Sequence, residues 1–103
     1  MVYETPEYHP AFEEYCEAIF ELAEDDFDVI QARIADRLEV SRPAVSEMIR
    51  RLESEGLVAT GGGAISLTVD GMELATQVVR RHRIAERFLT DVLGLNWTDA
   101  HHE

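Results

Sequence analysis

The chain has 103 residues, of which 46% are hydrophobic and 29% charged, enough apolar matter for one small compact domain. It has no run of about 18 apolar residues that could span a membrane, and its N-terminus lacks the features of a signal peptide. A single cysteine excludes an intrachain disulfide and fits a reducing compartment. We therefore expect a cytoplasmic protein without membrane contact.

The net charge is −12, with 21 acidic residues against nine basic ones, and every basic residue is an arginine. Such acidity argues against nucleic acid binding, because phosphate contacts are largely electrostatic. However, residues 1–27 hold nine acids and no base, whereas residues 28–60 hold five arginines against six acids, so the middle of the chain is not repelled from DNA. The lysine-free, acidic composition favours a halophilic source over an ordinary acidic protein.

Residues 1–10 contain two prolines and no periodicity, and are predicted to form an irregular arm. Apolar residues at three- and four-residue steps predict an amphipathic helix from Pro10 to Glu24. Its cysteine, Cys16, is expected to pack in the core. A second helix is predicted from about Val29 to Leu38, with a buried face formed by Ile30, Ile34 and Leu38.

The third helix is predicted to begin at Ser41, a good N-cap residue, and to stop at Gly56, a typical C-terminal glycine. Pro43 fits its first turn, where a missing N–H does no harm. Its buried face is predicted to contain Val45, Met48, Ile49 and Leu52. Two strand-like runs follow, 57–60 and 64–68, joined by three glycines that allow positive φ angles, Gly61, Gly62 and Gly63.

A long fourth helix is predicted from about Asp70 to Leu93, closed by Gly94. Its predicted apolar stripe contains Met72, Ala75, Val78, Val79, Ala85, Leu89, Val92 and Leu93. Thr98 begins another helical pattern that has no body before residue 103. We therefore expect the natural protein to continue beyond this point.

Helix, four-residue turn, helix and glycine-tipped hairpin, in that order, predict a winged helix-turn-helix fold that is mainly α with a small β-hairpin. The third helix presents hydroxyls and backbone N–H groups at its start, which suit phosphate and base-edge contacts. The predicted contacts with double-stranded DNA are Gln31, Arg33, Ser41, Arg42, Pro43, Ala44, Ser46, Glu47 and Arg50. The alternative is a winged helix that binds another protein and no DNA.

His82 and Glu86 lie four residues apart on the apolar stripe of the fourth helix. Buried ionisable groups need partners, and a divalent cation supplies one, with His101 able to fold back as a third ligand. The alternative is a His–Glu salt bridge within a dimer interface. Glu14 and Glu17 share one face of the first helix, but in so acidic a segment a solvated pair is the default.

Several segments resemble the diphtheria-toxin-repressor family, whose members include manganese sensors. The likeness spans roughly residues 11–103. It is carried by QARIADRL at 31–38, SRPAVS at 41–46, RLESEGLV at 51–58, LTVDG at 67–71 and RHRIAERFLTD at 81–91.

The resemblance implies a homodimeric repressor of metal-homeostasis genes that binds a palindromic operator when loaded with Fe²⁺ or Mn²⁺. It implies an ancillary metal site at His82, Glu86 and His101, and regulatory ligands at Glu14 and Glu17. Further regulatory ligands of the family would lie just beyond residue 103. Glu47 departs from the family, which usually has an uncharged amide there. Its carboxylate could accept from cytosine N4 or simply weaken DNA binding.

These patterns predict three parts, with an arm at 1–10, a DNA-binding winged helix-turn-helix at 11–69, and the start of a metal-binding and dimerisation domain at 70–103. A metal-independent winged-helix regulator, in which His82 and Glu86 are structural, remains open. An enzyme is not expected, because the sequence has no HExxH, P-loop or nucleophile motif.

Overall fold

A computed structural model of the protein describes residues 9–92. They form a mainly α structure with one antiparallel hairpin, which confirms the predicted fold class. None of the helices between residues 9 and 92 has the length and apolarity that crossing a membrane requires. In chain order the elements are α1 (Pro10–Glu24), α2 (Gln31–Leu38), α3 (Arg42–Ser54), β1 (Val58–Gly61), β2 (Ala64–Leu67), α4 (Val69–Arg87) and a π-helical segment (Phe88–Val92).

The second helix begins later than predicted, because the chain before it pairs with the hairpin. The carbonyl of Val29 accepts a hydrogen bond from the N–H of Ile65 in β2, at 3.1 Å. Ile30 has extended backbone angles and is the N-cap of α2. Its side chain is 39% exposed, so the prediction that it is buried is wrong. The other two predicted core residues of this helix, Ile34 and Leu38, are buried and packed against the core, respectively.

The caps of α3 are those predicted from the sequence. The Ser41 hydroxyl oxygen accepts a hydrogen bond from the N–H of Ala44 at 3.2 Å, which satisfies an otherwise unpaired donor of the first turn. The helix ends at Ser54, and Gly56 follows with a φ of 76°, a value that glycine adopts without strain. The tight turn before α3 also contains a left-handed residue, Glu39, with a φ of 56°.

The hairpin turn is shorter than the glycine run that predicted it. Gly61 lies in β1 and pairs with Ala64 of β2. Only Gly62 and Gly63 form the connection, and their φ angles of 59° and 82° are both positive. A two-residue connection of this kind matches the right-handed twist of the flanking strands.

Thr68 fixes the start of α4 to the base of the hairpin. Its hydroxyl donates to the carbonyl of Gly56 at 2.6 Å and accepts from the N–H of Gly71 at 3.1 Å. Its own N–H donates to the carbonyl of Leu57 at 3.1 Å. Gly71 packs so closely on Leu57 that an added Cβ would overlap that carbonyl. The end of α3, the hairpin and α4 therefore meet in one rigid joint.

A single apolar core lies between α1, α2, α3, the hairpin and the first half of α4. Cys16 is fully buried within it, as expected. Met48, predicted to be buried, is partly buried and packs against it. The buried members are Phe12, Tyr15, Cys16, Ile19, Leu22, Ile34, Ala35, Val45, Ile49, Leu52, Leu57, Val58, Ile65 and Ala75.

The second half of α4 differs from the prediction in two ways. α-Helical structure ends at Arg87 and continues as the π-helical segment, whereas Leu93 and Gly94 lie outside the described residues. The predicted stripe is also uncovered there, since Val78 is the last buried residue of α4 and Val92 is 65% exposed. The core elements cover only the first half of the helix. His82 is exposed and Glu86 is half-buried, so the described residues of this single chain bury neither side chain fully.

Candidate functional site

Two side-chain pairs connect α1 to the second half of α4. Nδ1 of His82 lies 2.7 Å from Oε2 of Glu17, and Nη2 of Arg81 lies 2.7 Å from Oε1 of Glu13. The two acids are one helical turn apart on α1, and the two basic residues are neighbours on α4. The Glu17 side chain is 17% exposed and that of His82 is 57% exposed, so the carboxylate is the more shielded partner.

The fold brings together one member of each predicted metal-ligand set. Sequence spacing pairs Glu17 with Glu14 and His82 with Glu86, but in the structure Glu17 and His82 meet across two helices. Glu14 is exposed on α1, and Glu86 is half-buried one turn after His82. The fifth predicted ligand, His101, lies outside the described residues. Between residues 9 and 92, no three His, Cys, Asp or Glu side chains are close enough together to hold a metal ion.

The Glu17–His82 pair has the donor chemistry of a transition-metal site. A carboxylate oxygen and an imidazole nitrogen are suitable ligands for Mn²⁺ and Fe²⁺, and these two converge from different elements. The 2.7 Å separation shows that both donor atoms already occupy one small volume. The pair fits a metal chemically, and it also forms a hydrogen bond that needs no metal.

Cys16 lies between Glu14 and Glu17 in the sequence, but its side chain belongs to the core. Burial, with a smaller contribution from Glu13, raises the pKa of its thiol to about 12. A thiol that stays protonated is a poor metal ligand. Burial also raises the pKa of Tyr15, with a smaller contribution from Glu14. The inward face of α1 therefore packs in the core. The candidate metal ligand of this helix, Glu17, lies at the edge that contacts α4.

The predicted DNA-contact residues at the start of α3 form an exposed patch. The patch surrounds the N-terminus of the helix, where Ser41 accepts from the N–H groups of Ala44 and Val45, and Pro43 has no N–H. Ser46 is half-buried one turn further along, and Glu47 and Arg50 are exposed. The exposed members at the start are Ser41, Arg42, Pro43 and Ala44.

A cleft of about 270 Å³ separates α3 from the hairpin. Three predicted contacts line it, namely Gln31, Ser46 and Arg50. The Thr60 hydroxyl of β1 donates to Oε2 of Glu53 on α3 at 2.9 Å, which ties the hairpin to the helix. The cleft is thus a supported groove between two elements, with polar side chains on both walls.

One predicted contact, Arg33, lies apart from this surface. Its guanidinium donates to the carbonyl of Asp28 at 3.0 Å and lies 5.3 Å from the centre of the Phe27 ring. Both partners belong to the segment between α1 and α2. The structure therefore groups Gln31 with the exposed face of α3, whereas the side chain of Arg33, also in α2, contacts the segment before that helix.

Known sequences decide the family. The sequence model of the N-terminal DNA-binding domain of iron-dependent repressors matches residues 8–62. The chain belongs to the iron-dependent repressor family. The model of the metal-binding and dimerisation domain of this family matches residues 68–103. The resemblance predicted from the sequence is confirmed.

Relatives within the family are similar over most of the chain. The iron-dependent repressor IdeR of Mycobacterium leprae is 44% identical over 92 residues, and the diphtheria toxin repressor of Corynebacterium diphtheriae is 45% identical over 92 residues. Each match covers 88% of this chain but only 40% and 41% of the relative. The structure of the manganese regulator SloR superposes with a TM-score of 0.74 at 36% identity, covering 92% of this chain and 45% of that one.

Sequence reasoning missed three contacts that shape the candidate sites of this iron-dependent repressor family member. The Glu13–Arg81 bridge and the Glu53–Thr60 hydrogen bond each join residues of two different elements, so the spacing within one helix or strand gives no signal for them. The Thr68 joint was detectable in part. Its threonine stands three residues before Gly71, the spacing of an N-cap to the N–H that it satisfies.

Proposed function

We propose that the protein is a metal-responsive transcriptional repressor that uses Fe²⁺ or Mn²⁺ and binds a palindromic operator in metal-homeostasis genes as a homodimer. The observation that carries this proposal is the contact of Glu17 with His82 between α1 and α4. It occurs in a chain whose later half matches the metal-binding and dimerisation domain of iron-dependent repressors. A regulator of this kind acts on chromosomal DNA in the cytoplasm and has no catalytic role.

We assign DNA binding to residues 11–69 and the beginning of the metal-binding and dimerisation domain to residues 70–103, with 1–10 as an arm. The two family matches, at 8–62 and 68–103, support a boundary in this region. The Thr68 joint lies at that boundary and attaches α4 rigidly to the hairpin. Movement of α4 would therefore carry the DNA-binding elements with it.

Glu17 and His82 are the proposed centre of the metal site. Glu14, Glu86 and His101 supply the further donors that this pair needs to complete a coordination shell. A bound divalent ion supplies coordination bonds that join ligands from separate helices. The residues themselves hold α1 against α4, and the Glu13–Arg81 bridge maintains the same contact without a metal.

The link from this site to the DNA-binding elements runs along α1. Glu21 lies one turn beyond Glu17 and accepts a hydrogen bond from Arg37 of α2 at 3.0 Å. α2 in turn packs on α3, which carries the exposed DNA-contact patch. A ligand that favours one position of α1 therefore favours one arrangement of α2 and α3, which is how binding at one site selects a DNA-competent conformer.

The DNA side of the proposal rests on the exposed start of α3 and on the cleft beside the hairpin. The exposed Arg42 side chain and the serine hydroxyls there suit phosphate oxygens, while the side chains of Glu47 and Arg50 extend from the same helix. In a dimer, two such helices would enter successive major grooves. Gln31 lines the cleft and supports the same surface.

The test is fluorescence anisotropy of the natural full-length protein on an operator duplex selected from a randomised library. Binding is compared with Mn²⁺, with Fe²⁺ under anaerobic conditions, and with EDTA. We expect metal to tighten binding by at least about fivefold, the lower end of common allosteric couplings. His82→Ala should abolish this response and leave metal-free binding intact. Gln77→Ala, an exposed change on the same helix, is the matched control.

Each negative result identifies a different alternative. Operator binding that ignores metal and EDTA in the wild type would support a metal-independent winged-helix regulator, in which His82 has only a structural role. No salt-dependent binding to any duplex would support a winged helix that binds another protein. Equal loss of the metal response in His82→Ala and Gln77→Ala would contradict the proposed site.

A further inference from the structure

An acidic side chain stands on the DNA-contact face of α3. Glu47 is 63% exposed, and its Oε2 lies 3.0 Å from Nη1 of Arg50, which is 71% exposed. The two are three residues apart and so share one face of the helix. That face lies opposite the buried Val45 and Ile49. The protein therefore presents a paired positive and negative charge where a duplex would dock.

The pairing changes what Arg50 can contribute to DNA binding. A guanidinium held by a carboxylate is less available to neutralise a phosphate, and the carboxylate itself is repelled by the DNA backbone. Both effects lower affinity that does not depend on sequence. If this face contacts DNA, what the pair can add is therefore discrimination between bases rather than general affinity.

An ionised carboxylate distinguishes bases because it cannot donate a hydrogen bond. It accepts hydrogen bonds and donates none when ionised. In the major groove, guanine presents two acceptors and thymine one, so both repel it, and adenine presents an acceptor beside its donor. Cytosine is the base whose own major-groove edge presents an amino donor and no acceptor. The chemistry of Glu47 thus matches a single base.

We infer that Glu47 selects a cytosine in each operator half-site and that Arg50 is a positioning residue that holds its carboxylate in place. This inference rests on the proposed DNA-binding function and deepens it. Arg50 keeps its contact with Glu47 in the complex and offsets the repulsion between the carboxylate and nearby phosphates. Glu47 thereby lowers general DNA affinity and raises discrimination between sequences.

The test combines base scanning with salt dependence on the natural full-length protein. A duplex selected from a randomised library is substituted with each base pair at every half-site position, in the presence of Mn²⁺. Wild type, Glu47→Gln and Glu24→Gln are compared. Glu24 is exposed at the end of α1, so its substitution changes net charge equally without altering α3.

For the wild type we expect one half-site position where replacing cytosine weakens binding by about tenfold, a typical cost of one mismatch. Glu47→Gln should remove that preference, because an amide both donates and accepts. It should also free Arg50 to contact a phosphate, which makes the slope of log affinity against log salt steeper by about 0.9. Glu24→Gln should keep the wild-type base preference and slope.

Several results would overturn this inference and identify what has failed. Metal-dependent operator binding with an unchanged base preference and salt slope in Glu47→Gln would overturn the role of Glu47 and leave the proposed function standing. Equal effects of Glu47→Gln and Glu24→Gln would show that net charge alone explains the change, and this would also overturn the inference. No duplex binding by the wild type would overturn both proposals together.

Discussion

Cys16 illustrates how one residue of α1 can belong wholly to the core while the next residue, Glu17, lies at the candidate metal site. The thiol is fully buried, and its pKa is raised from 9.0 to about 12. The folded state holds this proton more tightly than the unfolded state. The contribution of Cys16 to the free energy of unfolding is therefore complete below pH 9. It is lost as pH rises from 9 toward 12.

This environment predicts low reactivity for the only cysteine of the chain. Iodoacetamide at a pH of about 8.5, close to the ordinary thiol pKa, should leave Cys16 unmodified in the folded protein and modify it fully in urea. Mass spectrometry measures the extent of modification. Rapid labelling of the folded protein would show that the thiol is accessible and ionised, contrary to its burial.

Glu17 and His82 are the residues on which the functional proposal depends. Their contact with each other is the feature that could not be predicted from the sequence. Residue types and spacing identified both as candidate ligands. However, helical spacing relates residues only within one helix, so it paired each with its neighbour on the same helix. Their contact depends on how α1 crosses α4, which is a tertiary feature.

At the scale of elements, the joint between the hairpin and α4 makes a direct prediction. Gly71→Ala should lower the free energy of unfolding by about 1–3 kcal/mol, because the added Cβ would overlap the carbonyl of Leu57 in a packed interior. Gly61→Ala is the matched control, since nothing lies within 4 Å of its added Cβ and its φ is not positive. Urea unfolding followed by circular dichroism measures both.

An equal and small effect of the two substitutions would show that the joint yields easily and does not fix α4. In that case the hairpin and α4 would not move as one body. Thr68 would then act only as an N-cap, worth about 1 kcal/mol, rather than as a connection between α3 and α4.

Local signals predicted the elements well wherever a local rule governs them. The bounds of α1, the Ser41 cap and Gly56 after α3 follow from periodicity and capping chemistry alone. The start of α2 does not, because Val29 pairs with Ile65 of the hairpin, 36 positions later in the sequence. Periodicity likewise shows that α4 has an apolar face without showing that the core covers only half of it.

At the scale of the whole molecule, the acidic first helix is organised rather than uniformly repulsive. Glu13, Glu17, Glu21 and Asp25 recur every four residues along α1 and its C-cap. The first two contact basic side chains of α4, and the last two contact Arg37 of α2, at 3.0 and 3.6 Å. This row of acids connects α1 to both α4 and α2, the helices that the proposed metal signal would involve.

Exposed ion pairs each contribute little to stability, commonly below about 1 kcal/mol. Their value here is positional, because they set how α1 lies against both partners. Replacing one of these contacts by a stronger bond, such as metal ligation at Glu17, would shift α1 relative to its partner helices while the domain stays folded. The net charge of −12 is compatible with the proposed DNA binding, because much of the acidity lies on α1 rather than on the exposed patch of α3.

The central claim is that Glu17 and His82 bind the regulatory metal between α1 and α4. The most direct test is the Mn²⁺ affinity of the natural full-length protein, measured from the free-ion signal in electron paramagnetic resonance. Glu17→Gln and His82→Ala should each weaken Mn²⁺ binding by at least about tenfold, because the loss of a residue that only supports a metal ligand already lowers affinity by that factor. Glu24→Gln, on the same helix, should bind as the wild type does. Unchanged affinity in both site variants would contradict the claim.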